Sequence, residues 1–245
     1  MNKFTVGAIA VLLLIFGGLI YYTTKGSDTI DYSKYDPNTI IEGTKDNGNI
    51  DEHIRGKTDS SVILIEYADL QCPGCAASYP GVEELYEGYG DRVAFVFRNF
   101  PISAHKNARA ASAAAESAGF QGHYWEMLSK LYSDRAAWLD LTGGERTQAF
   151  ASIFQAVAPD GDVDKFKSDM SSEKIEAKIT FDYTLGKDRA GVTATPSFFV
   201  NGKAVDLSEV STQDDLKNAV SKALDEALKE NGLEVGAKKS SKDKE

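Results

Sequence analysis

Apolar positions along this chain change their period several times, and each change marks an element. Val62–Tyr67 (VILIEY) is a nearly continuous β-branched run, the pattern of a central strand buried on both faces. A turn containing Cys72-Pro73-Gly74-Cys75 follows, then helical spacing to about Glu87, closed by Gly88 and Gly90. Val93–Arg98 (VAFVFR) predicts a second buried strand. From Ser103 onward the spacing is helical. An alanine-rich helix over Ala108–Ala118 ends at Gly119 as a left-handed cap, and further helices fall over His123–Tyr132, Glu145–Val157, Val163–Met170 and Ser172–Leu185. The β signal returns at Ser197–Val200, turns at Asn201-Gly202 and continues over Ala204–Leu207. A last helix starts near Thr212, which forms a capping box with Asp215, and runs to about Lys229. The order βαβ, a run of helices, then ββα predicts an α/β sheet with an inserted helical subdomain.

The two ends read differently. Phe4 to Tyr22 is nineteen residues without a charge, about 28 Å as a helix, which matches the hydrocarbon core of a bilayer. Lys3 precedes it, Tyr21 and Tyr22 sit where an aromatic belt would, and Lys25 follows. The run exceeds the apolar stretch of a cleaved signal peptide and no A-x-A site follows, so residues 1–22 read as an uncleaved transmembrane anchor. Either reading carries the rest of the chain across a membrane. Residues 23–50 read as a polar tether and 234–245 as a charged, disordered tail. Between them lie the first part of the sheet domain (51–102), the helical insertion (103–190) and the second part (191–233).

Composition then narrows the chemistry. With 42% hydrophobic and 26% charged residues the chain is globular, and a net charge of −10 argues against nucleic acid as a partner. Its two cysteines cannot build a disulfide-rich scaffold. They stand as one C-x-x-C between a strand and a helix. With Cys72 at the N-cap and Pro73 at the first helical position, the sulfur faces unpaired amides and the positive end of the helix dipole. That setting favours the thiolate and makes Cys72 a nucleophile and a leaving group, with Cys75 one turn further in as the resolving thiol. A zinc site needs four ligands, and only His53, His105 and His123 remain to complete one. A structural disulfide between these cysteines would close a loop too short to gain much entropy. Redox catalysis without metal or bound cofactor is therefore the expectation.

The stretch IEYADLQCPGC, with TATPSFFVNGK far downstream, resembles the thioredoxin-fold oxidoreductases of the DsbA-like type. DEHIRG before the first strand and FRNFPIS at the opening of the insertion agree, so the likeness covers roughly residues 50–231. The resemblance implies a thioredoxin fold and gives Pro196 as the cis-proline beside the active site. It implies that Thr195 offers its backbone to an extended substrate, with Pro73 and Gly74 lining the same place. It also gives Glu66 as the buried acid beneath the cysteines, its pKa raised by desolvation, moving a proton for Cys75. One departure stands out: strongly oxidising members carry Pro-His between the cysteines, and Gly74 has no side chain. His105 is expected at the rim as a cap or packing residue, His123, Trp125 and Met127 in helix packing, and Trp138 and Gly143-Gly144 in loops. The function implied is a single-pass, membrane-anchored extracytoplasmic oxidase. It would introduce disulfides into cysteine-containing exported proteins and be re-oxidised by a membrane quinone-linked partner. A reductase or isomerase of the same fold, and a binding module with a structural disulfide, are the alternatives.

Overall fold

A parallel strand pair is the centre of the sheet. In the computed structural model, which describes Phe16 and residues 29–238, β1 is Ile54–Gly56, β2 Ile63–Ala68, β3 Ala94–Asn99, β4 Ser197–Val200 and β5 Lys203–Ala204. They lie in the order β1-β3-β2-β4-β5; β2 and β3 are parallel, with Ile65 opposite Val96, and the other neighbours are antiparallel. Parallel neighbours need a crossover, and helix α1 (Pro73–Tyr89) supplies it. Helices α2 (Ala108–Gly119), α3 (Tyr124–Ser133), α4 (Gly143–Val157), α5 (Val163–Asp169) and α6 (Glu173–Leu185) form the insertion, and α7 (Gln213–Glu230) closes the domain. Apart from Phe16, the predicted anchor over residues 1–22 lies outside the described residues, among which no helix is long and apolar enough to cross a membrane. The described residues fall into two units divided after Lys34, the first with one short helical turn at Tyr32–Lys34 and the second beginning at Tyr35.

Local chemistry accounts for the boundaries. Asn201 and Gly202 both take positive φ, 45° and 78°, as a two-residue hairpin turn requires. At α7 the reciprocal bonds of the capping box form, Asp215 N to Thr212 Oγ1 at 3.1 Å and Thr212 N to Asp215 Oδ2 at 2.9 Å. Strand β5 is shorter than its apolar pattern, because Val205 and Leu207 turn inward onto the core. Strand β1 is three residues long, too short to show a period. Gly119 lies inside α2 rather than capping it: a Cβ there would meet the His53 ring at 2.6 Å, so close packing fixes the glycine.

The alternation of β2 sorts its side chains between two cores. Leu64 and Ala68 join α1, α3 and α7 in the larger one, and Glu66 shares their side of the strand. Ile65 and Tyr67 face the other, with Phe100, Val192, Ile40 and Tyr183 of α6. This second face corrects the reading of residues 23–50 as a tether. From Pro37 onward the segment is docked, with Ile41 and Ile50 buried. The fully buried Arg98 holds it, donating to the carbonyls of Pro37 (2.5 Å) and Thr39 (2.6 Å) and to Tyr67 Oη (2.8 Å), and pairing with Glu52 at 2.5 Å. Glu52 in turn accepts from Ile41 N at 3.0 Å. Polar composition concealed this because the bonds run to backbone carbonyls, which every residue carries. The tail reading is corrected likewise over its first residues. Arg92 donates to the carbonyls of Glu234 (2.6 Å) and Gly236 (2.9 Å), and Lys238 N donates to Gly88 O at 2.9 Å.

Arg98→Met should leave the Glu52 carboxylate buried and unpaired, a loss of about 3–5 kcal/mol. Denaturant unfolding would measure it, and hydrogen exchange should show residues 37–50 opening first. An unchanged stability would mean that Arg98 does not hold this segment.

Candidate active site

Cys72 stands at the N-cap of α1 with extended backbone angles (φ −64°, ψ 127°) and Pro73 at the first helical position. Its side chain remains 8% exposed, whereas Cys75 is 1% exposed. Both are free thiols. Cys72 Sγ lies 3.6 Å from the carbonyl of Thr195, to which the thiol donates, and the Thr195–Pro196 bond is cis. Gly74 belongs to the same cluster: a Cβ there would lie 3.7 Å from Cys72 Sγ, 3.8 Å from Thr195 O and 3.9 Å from Pro196 Cδ. All six of the expected residues around the opening, Cys72, Pro73, Gly74, Cys75, Thr195 and Pro196, are therefore brought together.

The two sulfurs occupy opposite environments. The Cys75 thiol donating to Cys72 is the largest cause that lowers the Cys72 pKa to about 5; partial burial opposes it, and Thr195 and the amides of Cys75 and Gly74 add to it. The helix terminus thus contributes, but less than the neighbouring thiol. Thr195 Oγ1 has no hydrogen-bond partner while Cys72 is a thiol, which leaves it available to the thiolate. Burial, and then the Cys72 thiolate to which it donates, push the Cys75 thiol well above its usual range. Glu66 is 1% exposed on β2. Burial lifts its carboxyl to about 8; a bond from Tyr86 Oη at 3.3 Å opposes the rise by favouring the ionised form, and the Glu83 charge adds to it.

This arrangement, a strand, a C-x-x-C at a helix N-cap and a proline loop facing it, coincides with a family match. The thioredoxin family model aligns with residues 48–226. The chain belongs to the thioredoxin family. Among solved structures, the thioredoxin-family fold seen here is shared with a thioredoxin-like oxidoreductase from Silicibacter pomeroyi DSS-3 (24% identity, TM-score 0.52, 70% of this chain and 91% of that one). It is shared also with alpha-DsbA1 of Wolbachia pipientis (20%, 0.57, 74% and 94%) and with BdbD of Bacillus subtilis (19%, 0.56, 78% and 98%). The fold is the DsbA-like form, with a mixed sheet and a helical insertion. Curated relatives include proteins named Na(+)/H(+) antiporter NhaA 1 from Mycolicibacterium gilvum, 33% identical over 157 residues. That match covers 62% of this chain and 24% of the relative, so the chain spans about a quarter of such proteins.

Sequence reasoning missed the residues that hold the loop before Cys72. Asp69 is fully buried, accepting from Gln71 N (2.7 Å) and Ile102 N (2.8 Å) and bonded to His105 Nδ1 at 2.7 Å. Gln71 Oε1 accepts from Asn107 N at 2.6 Å, and Gln71 O accepts from Arg135 Nη2 at 2.6 Å. His105 is accordingly a rim residue tied to Asp69, in agreement with its expected cap or packing role. Trp138, expected in a loop, is a core residue whose indole donates to Leu131 O at 2.9 Å, and Gly143-Gly144 begin α4. Apart from the Gln71 N bond two residues on, the partners of Asp69 and Gln71 are 33 or more residues away, beyond the reach of any local motif.

Two measurements follow from the charges. Thiolate absorbance of the reduced chain should titrate with a midpoint near pH 5 for Cys72; a midpoint near 9 would remove it as the nucleophile. For Glu66 the folded chain holds a proton up to about 8, the unfolded chain only to about 4.5. Wild-type stability should therefore fall relative to Glu66→Gln as pH rises between these values, by a few kcal/mol in all. Equal pH profiles for the two proteins would place a charged, solvated Glu66 in the fold.

Proposed function

We propose that this chain is a membrane-anchored extracytoplasmic thiol:disulfide oxidoreductase that introduces disulfides into exported proteins through Cys72 and Cys75. The observation that carries this reading is the placement of the sulfurs: Cys72 at the N-cap of α1 and 3.6 Å from the carbonyl before the cis-proline, Cys75 buried one turn behind it. This arrangement lowers the Cys72 pKa and raises that of Cys75. A stabilised thiolate makes the reduced form the favoured product, which is the property of an oxidant. A substrate thiolate attacks Cys72 Sγ of the protein disulfide, the Cys72–Cys75 bond breaks, and Cys75 leaves and takes a proton. A second substrate thiolate then attacks the substrate sulfur of the mixed disulfide and expels Cys72 as thiolate. Two electrons pass from substrate to protein.

Substrate binding is supported by the groove beside the opening, about 450 Å³, lined by Gly74, Ala77, Pro196, Leu207, Val210 and Leu216 among others. An extended segment there would pair with the Thr195 backbone and set an apolar side chain into the groove. The uncharged run over residues 4–22 supports a membrane anchor, and the match to a segment of proteins named for sodium–proton antiport is in keeping with a membrane-side location. Re-oxidation by a membrane quinone-linked partner completes the cycle without a bound cofactor. Gly74 favours the second reading, a reductase or isomerase, to the extent that no imidazole stabilises the reduced form.

Equilibration with glutathione should give a potential between about −270 mV and about −120 mV, the thioredoxin and DsbA values. A potential at the lower limit would replace the oxidase by a reductase. Gly74→His, whose Cβ would make only ordinary contacts, should lower the Cys72 pKa and raise the potential. Cys75→Ala should accumulate mixed disulfides through Cys72; recovery of none would remove the catalytic reading.

A further inference from the structure

Glu66 has to exchange protons with water, yet it is 1% exposed, and Cys72 at the opening keeps only 8%. A peptide substrate bonded to Cys72 and seated against the Thr195 loop covers that remainder. The other side of Glu66 is built differently. Tyr86 Oη donates to its Oε2 at 3.3 Å. Tyr79, Glu83 and Tyr86 lie on one face of α1 at helical spacing. Tyr79 Oη donates to Glu83 Oε1, and Arg55 Nη1 of β1 donates to the same oxygen at 2.8 Å while its guanidinium lies 4.7 Å from the Tyr86 ring centroid. Glu83 and Arg55 are 26% and 32% exposed, so this pair meets solvent. From α3, the hydroxyls of Tyr124 and Tyr132 are buried without a protein partner, and the Tyr132 ring stacks on Tyr79 at 4.6 Å. Buried hydroxyls of this kind are anchors for internal water.

We propose that Glu66 exchanges its proton with solvent through the tyrosine hydroxyls of α1 and α3 and the Glu83–Arg55 pair, at the side of the domain away from Cys72. This deepens the oxidoreductase reading and rests on it. The route matters in the mixed disulfide, which forms in either direction of electron flow. During resolution Cys75 loses its proton and its sulfur attacks Cys72 Sγ. The Cys72–Cys75 bond forms, the bond from Cys72 to the substrate sulfur breaks, and the substrate leaves as thiolate. Below about pH 8 Glu66 still carries its own proton and must discharge it before it can take the one from Cys75. Its own proton leaves by way of Glu83 while the substrate covers the opening, Glu66 keeps the one it takes from Cys75, and the departing thiolate takes one up from water. The groups facing Glu66 from the surrounding elements are Cys75, Glu83 and Tyr86 on α1, and Tyr124 and Tyr132 on α3; Arg55 of β1 lies beyond Tyr86.

The test compares two disulfides of different size. The reduced full chain is mixed with 2-hydroxyethyl disulfide, which leaves the opening uncovered, or with a disulfide-linked peptide dimer, which covers it. Acid quenching at successive times gives the lifetime of the mixed disulfide. In Glu83→Gln the peptide adduct should persist about tenfold longer, the scale of a weakened proton transfer, and the hydroxyethyl adduct should resolve as in wild type. The Cys72 titration should not move. Tyr79→Phe keeps the ring stacked on Tyr132, removes the hydroxyl, and should give the same split even if Glu83→Gln folds poorly. Equal slowing of both adducts would overturn the route, because Glu83 would then act only through its field on Glu66. No slowing of either would overturn it as well. A wild-type chain that forms no mixed disulfide overturns the oxidoreductase reading and this route with it.

Discussion

The chemistry of this domain depends on one unequal partnership: two sulfurs a helical turn apart share a single negative charge, and the fold decides which of them keeps it. Cys72 keeps it because a buried thiol, a hydroxyl and the first amides of α1 all point toward its sulfur. Cys75 gives it up because it lies inside, where an ion has no solvent. Neither environment exists without the other. The buried thiol that stabilises the Cys72 anion is itself held neutral by that anion, so the pair behaves as one coupled group with two protons.

Around this pair the domain is held by local preferences and by long-range polar contacts, unequally visible in the chain. The elements that carry the site were legible. VILIEY and VAFVFR could only be buried strands, and Asn201-Gly202 could only be a tight turn. A proline after Cys72 marked a helix start. These features are encoded within a few residues, where steric and hydrogen-bonding preferences act directly. Cys72, Cys75, Thr195 and Pro196 gather where the motif resemblance implied, and Glu66 lies buried on β2 as its strand suggested.

What the chain concealed is held by polar contacts between distant segments. Pro37–Ile50 reads as a linker because its side chains are polar, yet its carbonyls are gripped by an arginine from β3. Glu234 and Gly236 are held in the same fashion by Arg92. Asp69 and Gln71 look like ordinary loop residues until their partners from the insertion are placed against them. Main-chain acceptors are uniform along any sequence, so composition carries no signal of which ones a distant guanidinium will find. A buried strand announces itself by its apolar run; a docked polar segment leaves no such trace.

The ties of Asp69 and Gln71 have a consequence for comparing proteins of this kind. The loop that presents Cys72 is moored to Ile102, His105, Asn107 and Arg135, all beyond the strand that precedes it. The insertion is thus a splint for the reactive sulfur as well as a cover for the sheet. A change in its register would tilt Cys72 against Thr195 and Cys75 while every letter of the C-x-x-C stayed the same. Two chains with identical dipeptides between their cysteines therefore need not share a potential, and the divergence to look for lies in the helices that brace the loop.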